Sequence, residues 1–191
     1  MKRCGILLVM TAYLAAWSED TGAEASYSAP VGKDYPRNLY WGDTHLHTRN
    51  SADAYSLGNM NLTPADAYRF AQGQELVAHN GMRVKLRRPL DFLVVSDHAE
   101  YLGGYYRFNV GDPVVVGTAA GEQWRGYLEE GNPAKLIGAF TASMADPEHN
   151  YPFPERARRL IWTDVAITAD EYDRPGVFTA FTGYEWTSMI R

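Results

Sequence analysis

Residues 42–53 read Gly-Asp-Thr-His-Leu-His-Thr-Arg-Asn-Ser-Ala-Asp, and the rest of the chain is organised around this stretch. A short apolar run comes just before it, so Leu39–Thr44 is predicted to form the first β-strand. Side chains alternate between the two faces of an extended segment, so His45 and His47 point the same way. Two imidazoles on one face can bind a metal ion. An isolated His-x-His motif, however, more often makes only hydrogen bonds.

Two later clusters favour metal binding. Leu90–Ser96 contains the apolar run Phe-Leu-Val-Val, typical of a strand buried on both faces of a parallel sheet, and Asp97 and His98 follow it. Val177–Tyr184 is predicted as a third strand, and Glu185 comes directly after it. In an α/β barrel the carboxyl ends of the strands carry the active site, so these side chains are expected to converge. Either later cluster alone would indicate only a structural role.

The segments between these strands predict helices, a hairpin and loops. Thr63 and Pro64 are typical of a helix start, and His79, beside a turn signal, is expected to be a surface histidine. Alternation of strands and helices favours an α/β fold with a parallel sheet. The predicted helices lie at 64–71, 119–130, 132–145 and 154–170, and the hairpin at 76–84. An irregular loop is predicted at 49–61, and a loop over the active site at 101–117.

The candidate metal ligands are imidazoles and carboxylates, with no thiolate among them: His45, His47, Asp53, His98 and Glu185. Such a set suits Zn²⁺, Mn²⁺ or Fe²⁺. A carboxylate such as Glu185 can bridge two ions, and bridged ions can lower the pKa of a shared water. Asp43 and Asp97 are expected to orient the ligand histidines by accepting hydrogen bonds from the ring nitrogens that do not bind metal.

The same residues resemble a known group of proteins. Asp43-x-His45-x-His47, with Asp53 six residues later, and then Ser96-Asp97-His98 are similar to motifs of the PHP superfamily, named after polymerase and histidinol phosphatase. Longer stretches resemble the bacterial family called domain of unknown function 3604, over about residues 38–188. The motifs are specific in combination, and they lie at 39–48, 63–68, 96–103 and 178–187.

The resemblance implies a distorted (β/α)₇ barrel with two or three divalent metal ions, which hydrolyses phosphoesters by a metal-activated hydroxide. By position, His45 and His47 would bind one ion. Asp53 and His98 would bind another, and Glu185 would bridge the two. The superfamily's later histidines and its Asp-x-His motif have no counterpart in this chain. We therefore expect it to be the N-terminal part of such a barrel, and inactive alone.

The expected function is that of a metal-dependent hydrolase with a small anionic substrate, a phosphoester. Arg49, in the loop after His47, is a candidate for contacting the anion beside a catalytic Glu185, although such loop arginines are more often only solvated. Two alternatives stay open because fold does not fix chemistry. One is a non-catalytic binding module on the same fold, and the other is a hydrolase of amide or sulfate-ester bonds.

Composition limits the classes of partner. The chain has 191 residues, 46% of them hydrophobic, which is enough for a core. Its formal net charge is −5, and no basic run or basic-aromatic stripe occurs. Nucleic acid is therefore not an expected partner.

The first 25 residues have the pattern of a signal peptide. Lys2 and Arg3 give a positive start, Gly5–Trp17 is mostly apolar but too short to span a bilayer comfortably, and Ala23-Glu24-Ala25 is a small-x-small cleavage motif. The expected organisation is a signal peptide at 1–25, an extended leader at 26–37 and the hydrolase domain at 38–191. The only cysteine, Cys4, lies in the signal peptide, so the mature chain would have no disulfide.

We predict that the protein is exported to the periplasm or the medium, without stable membrane association after cleavage. N-terminal sequencing of the mature protein should then begin near Ser26. Recovery of the cytoplasmic protein with Met1 intact would contradict export.

Overall fold

A computed structural model describes residues 38–132, 134–136, 138–139 and 153–187. The predicted signal peptide, the predicted leader and most of the helix predicted at 132–145 lie outside the described residues. The strands are β1 (Gly42–Leu46), β2 (Leu76–Val77), β3 (Arg83–Val84), β4 (Phe92–Val95) and β5 (Thr179–Thr182). The helices are α1 (Ala52–Ser56), α2 (Pro64–Ala71), α3 (Gly104–Asn109), α4 (Pro113–Val116), α5 (Ala119–Glu129) and α6 (Glu155–Tyr172).

A parallel three-stranded sheet in the order β1-β4-β5 forms the centre of the fold. It confirms the predicted α/β class and the three predicted strand regions, although the strand ends differ. β1 begins at Gly42 rather than Leu39 and runs through His45 to Leu46, so the first candidate ligand lies inside the strand. Leu39, which was predicted to begin that strand, is 71% exposed.

Helices α2 and α6 pack on one face of the sheet. Leu93 and Val95 of β4 point toward them and are buried, whereas Phe92 and Val94 on the other face are only half-buried. β4 was expected to be buried on both faces, but within the described residues helices cover one face only. The core on the covered face consists of Ala67, Tyr68, Ala71, Leu93, Val95, Ala169 and Phe178.

A second core replaces the loop that was predicted at 101–117. This segment forms α3 and α4, and α4 begins with Asp112 accepting a hydrogen bond from the Val114 N–H. Trp124 of α5 is 1% exposed and stacks on Tyr105 at a ring-centre distance of 5.2 Å. The two short helices lack a long apolar period of their own, and contacts with this aromatic cluster stabilise them.

The predicted loop at 49–61 was also wrong in part, because α1 forms within it and carries Asp53. The hairpin is confirmed as the antiparallel pair β2–β3, and Gly81 in its turn has a φ of +85°. His79 in the same turn is exposed, as predicted. Among the described residues, no helix has the length and apolar character needed to cross a membrane.

Helix α2 begins with a capping box that fixes its first turn. The Thr63 hydroxyl accepts from the Asp66 N–H (3.0 Å), and the Asp66 carboxylate accepts from the Thr63 N–H (2.9 Å). Burial opposes ionisation of Asp66, but the hydrogen bonds from Thr63 and Arg69 outweigh it and lower the pKa of this carboxyl. A lowered folded-state pKa contributes stability above the ordinary carboxyl pKa of about 4, and that contribution is lost as the pH falls through the lowered value.

We predict that Thr63→Ala lowers the free energy of unfolding by about 1 kcal/mol at pH 7, because a cap hydroxyl is lost. The difference from the wild type should shrink below about pH 4, as Asp66 becomes protonated. Urea unfolding followed by circular dichroism measures both effects. The matched control is Thr163→Ala on the exposed side of α6, and an equal loss in that variant would contradict the capping role.

Candidate metal centre

Backbone hydrogen bonds continue past the ends of the three parallel strands. The Ser96 N–H donates to the Leu46 carbonyl (2.8 Å). The Glu185 N–H donates to the Asp97 carbonyl (3.1 Å), and His98 and Glu185 form a parallel β-bridge. The residues after β4 are therefore fixed beside those after β1 on one side and those after β5 on the other.

The Asp97 carboxylate fastens the loop after β1 to the loop after β4. It accepts hydrogen bonds from the Thr48 N–H (2.5 Å) and the Thr48 hydroxyl (2.7 Å), and both residues are 2% exposed. Ser51 adds a second connection, because its hydroxyl oxygen accepts from the His98 N–H (3.2 Å). Burial raises the pKa of the Asp97 carboxyl, and the bonds from Thr48 offset that shift only in part. These buried contacts fix the backbone on both sides of the ligands.

His45, His47 and Glu185 form the first candidate ligand group. The ring centres of the two histidines are 5.1 Å apart, which confirms that alternation along the strand places them on one face. The Glu185 Oε2 atom lies 2.9 Å from His45 Nε2 and 2.7 Å from His47 Nε2. The three donor atoms therefore converge on one point.

The Nε2 atom of His47 is buried and makes no hydrogen bond, although Glu185 Oε2 is 2.7 Å away. The other ring nitrogen, Nδ1, lies 3.0 Å from Oδ2 of Asp53. Both carboxylates only accept, so a neutral His47 ring, which carries one proton, can donate to Asp53 or to Glu185 but not to both, and its other nitrogen then faces a carboxylate with a lone pair. Two acceptors at this distance repel each other unless a positive charge lies between them, either a ring proton or a metal ion.

His47, Asp53 and His98 form the second candidate ligand group. The His47 and His98 ring centres are 4.9 Å apart, and Asp53 Oδ2 lies 3.7 Å from His98 Nε2. Asp53 also accepts from the Ser51 hydroxyl (2.5 Å) and from the Ala54 N–H (2.6 Å). A neutral imidazole offers a single lone pair, so His47 can ligate in only one group at a time.

Both carboxylates that face the histidines ionise readily. Burial opposes ionisation of Glu185, but the neighbouring imidazoles, His98 foremost, outweigh it and hold the pKa of Glu185 below its ordinary value. Burial also opposes ionisation of Asp53, and hydrogen bonds from Ser51 and the backbone outweigh it and lower the pKa of that carboxyl. The cluster is therefore an anionic surface framed by imidazole nitrogens.

The donor atoms fit a divalent cation. Metal–ligand bonds of about 2.1 Å in tetrahedral geometry place neighbouring ligand atoms about 3.4 Å apart. In each group the ligand atoms all lie within 4.8 Å of one another, so small side-chain rotations would bring them to the spacing of metal ligands. Imidazole with carboxylate is the donor chemistry of Zn²⁺, Mn²⁺ and Fe²⁺ sites.

Asp43 and Asp97 contact backbone and hydroxyl groups rather than the imidazole nitrogens that the sequence predicted. The Asp43 carboxylate accepts from the His45 N–H (2.8 Å), and Asp97 holds Thr48. In both cases the carboxylate accepts from a nearby backbone or hydroxyl donor. These residues therefore position the backbone that carries the histidines.

Among the described interactions, the half-buried Arg49 side chain contacts Tyr106 rather than the candidate ligands. Its guanidinium carbon lies 3.6 Å from the ring centre of Tyr106, a cation–π arrangement. The Arg49 side chain lines a crevice with Thr63 and Asp164, between α2 and α6. These contacts give Arg49 a packing role in the loop after β1.

Sequence reasoning missed three polar residues that surround the ligands: Ser51, Glu100 and Thr187. Ser51 is fully buried and bridges Asp53 and His98. Glu100 is 4% exposed and accepts from the Thr187 hydroxyl (3.2 Å). A carboxylate two residues after His98 was a readable signal, but nothing local indicates Thr187 as its partner.

An apolar cavity of about 360 Å³ lies beside the ligands. Tyr184 and Trp186, which flank Glu185, line it together with Trp162 and Arg158 of α6. The Tyr184 ring packs edge-on against Trp162, with ring centres 5.7 Å apart, so it faces the helix. Because neighbouring side chains of an extended segment point to opposite faces, the cavity lies behind the strand end and not in front of Glu185.

Comparison with known proteins gives one match. The model of a family described as protein of unknown function (DUF3604) matches residues 34–191. No curated protein and no solved structure matches the chain.

We predict that His45→Ala and His47→Ala each lower the amount of Zn²⁺ or Mn²⁺ bound by the purified protein, because each removes a converging nitrogen. Far-UV circular dichroism should change little. The matched control is His79→Ala, an exposed histidine that belongs to neither ligand group, which should bind metal like the wild type. Unchanged metal content in both the His45 and His47 variants, measured by plasma mass spectrometry, would exclude the site.

Proposed function

This chain belongs to the DUF3604 family of proteins of unknown function, and on that premise we propose that it is a metal-dependent hydrolase of the PHP type. Its substrate is a small anionic molecule, a phosphoester. The observation that carries the proposal is the convergence of His45 Nε2 and His47 Nε2 on Glu185 Oε2, at 2.9 and 2.7 Å. A cation bound by these three atoms would offset the carboxylate charge and use the free lone pairs of the rings.

The arrangement of the strands supports a PHP-type (β/α)₇ barrel as the parent fold. All three strands of the central sheet are parallel, and α2 and α6 cover one of its faces. The candidate ligands lie at or just beyond the carboxyl ends of all three strands, where barrel enzymes carry their active sites. Phe92 and Val94 on the uncovered face occupy positions that would face a barrel interior.

The charge of the ligand cluster supports a requirement for metal. Glu185 and Asp53 both have lowered pKa values, so both are anions at neutral pH. An anionic phosphoester would be repelled by these carboxylates unless cations offset their charge. When bound, divalent ions would acidify a water molecule and neutralise the phosphoryl oxygens. The acceptable ions are Zn²⁺, Mn²⁺ or Fe²⁺, two or three per site.

Individual residues have distinct tasks in this proposal. His45, with its side chain 68% exposed, forms the open side of the first group and leaves room for a substrate. His47 is 15% exposed and forms the closed side. Glu185 supplies the negative charge that both histidines face and would bridge the ions. Asp53 and His98 would ligate at the second position.

A non-catalytic binding module on the same fold is the main competing function. Loss of ligands from these clusters would favour such a module, whereas here the ligand atoms within each group lie close together. Hydrolysis of amide or sulfate-ester bonds would use the same ligands, so only substrate assays separate it from phosphoester hydrolysis. The Arg49 guanidinium lies over the Tyr106 ring, and its contact with a substrate anion stays a prediction.

We predict that Glu185→Gln in the complete protein lowers the number of bound ions and cuts hydrolysis of an aryl phosphate by at least about 100-fold, more than the loss of an outer-shell partner. Glutamine keeps the shape of the side chain but removes the charge that offsets two cations. Glu171→Gln, at an exposed position of α6, is the matched control.

Metal analysis and initial rates decide the outcome. Wild-type metal content and rate in the Glu185 variant would make this residue structural. Metal-dependent turnover of an aryl sulfate or an anilide, with none of the phosphate, would replace phosphoester hydrolysis with the competing chemistry.

A further inference from the structure

A chain of polar side chains, Thr187 and then the buried Glu100, lies behind the half-buried His98, on the side of the ring away from Asp53. The His98 Nε2 atom lies 3.7 Å from Asp53, whereas Nδ1 lies 3.4 Å from the Thr187 hydroxyl oxygen. That hydroxyl is in turn 3.2 Å from the Glu100 carboxylate, whose second oxygen accepts from the Thr187 N–H (3.4 Å). Glu100 is only 4% exposed, so its carboxylate depends on these protein donors rather than on bulk water.

The direction of the hydrogen bonds in this chain follows from the chemistry of its members. A carboxylate accepts and cannot donate, so the single hydroxyl proton of Thr187 points to Glu100. The hydroxyl oxygen then has lone pairs free for the His98 ring, which must donate to it from Nδ1. A neutral imidazole with its proton on Nδ1 has its lone pair on Nε2. The hydrogen bonds through Thr187 to Glu100 therefore leave the Nε2 lone pair of His98 facing Asp53.

We propose that Glu100 is a positioning residue that acts through Thr187 to hold His98 in the Nδ1-protonated tautomer, with Nε2 free to bind a divalent ion. The metal part of this inference rests on the proposed function, whereas the tautomer itself does not. Outer-shell carboxylates commonly fix the tautomer and ring orientation of metal-binding histidines. Here the Glu100 carboxylate acts indirectly, because the Thr187 hydroxyl lies between it and the His98 ring.

A competing acceptor makes the inference testable. Glu185 Oε2 lies 3.9 Å from the same Nδ1 atom, farther than the Thr187 oxygen at 3.4 Å. Glu100 Oε2 itself lies 3.8 Å from Nδ1, too far for a direct hydrogen bond. If the hydroxyl is removed, His98 loses its nearest acceptor on that side, and its proton is free to move to Nε2 and face Asp53.

The experiment compares the wild type with Thr187→Val, Glu100→Gln and the conservative control Thr187→Ser. Long-range ¹H–¹⁵N correlation spectra of the metal-free protein report which nitrogen of His98 carries the proton. The wild type and Thr187→Ser should show the Nδ1-protonated form. Thr187→Val and Glu100→Gln should shift toward the Nε2-protonated form, and their affinity for Zn²⁺, by calorimetry, should fall about 10- to 100-fold.

An Nε2-protonated His98 in the wild type would overturn the proposal, whether or not the variants fold. An unchanged tautomer in both Thr187→Val and Glu100→Gln would also overturn it. A wild-type Nδ1 tautomer that shifts in these variants, in a protein that hydrolyses no phosphoester, would support the positioning role while the proposed hydrolase activity failed.

Discussion

The buried carboxylate of Asp97 connects the two strand ends on which the candidate metal centre depends. It accepts both the N–H and the hydroxyl of Thr48, and all of these groups are shielded from water. An unpaired buried carboxylate is costly, so the loops after β1 and β4 cannot separate without leaving Asp97 unsatisfied. His47 lies just before Thr48 and His98 just after Asp97. The hydrogen bonds between Asp97 and Thr48 therefore fix the spacing between the His47 and His98 imidazoles.

Within that frame the centre of the cluster carries negative charge that no protein cation offsets in the interactions described. Two carboxylates with lowered pKa values face three imidazoles, and a buried ring nitrogen lies against a carboxylate oxygen without a hydrogen bond. Two hydroxyl groups around it have carboxylate partners: Ser51 bonds to Asp53, and Thr187 bonds to Glu100. These protein groups hold the ligands from outside, and a cation would offset the charge at the centre. This division is typical of metal sites, where outer groups hold the ligands in place.

The sequence predicted the parts of this site that depend on local geometry. Alternation along β1 placed His45 and His47 on one face, and apolar strands followed by Asp97-His98 and Glu185 indicated where the ligands meet. It did not predict α1, α3 and α4, because short helices depend on tertiary contacts such as those of Trp124 rather than on their own periodicity. Nor did it predict the partners of Asp97 or Glu100, which lie 49 and 87 residues away along the chain.

The side chains at these strand ends are expected to bind metal directly. The decisive measurement is anomalous diffraction at the zinc or manganese edge, from crystals of the complete protein grown with that ion. We expect a peak about 2.0–2.2 Å from His45 Nε2, His47 Nε2 and a Glu185 oxygen. Well-occupied peaks elsewhere on the protein, with these three atoms unliganded, would contradict it.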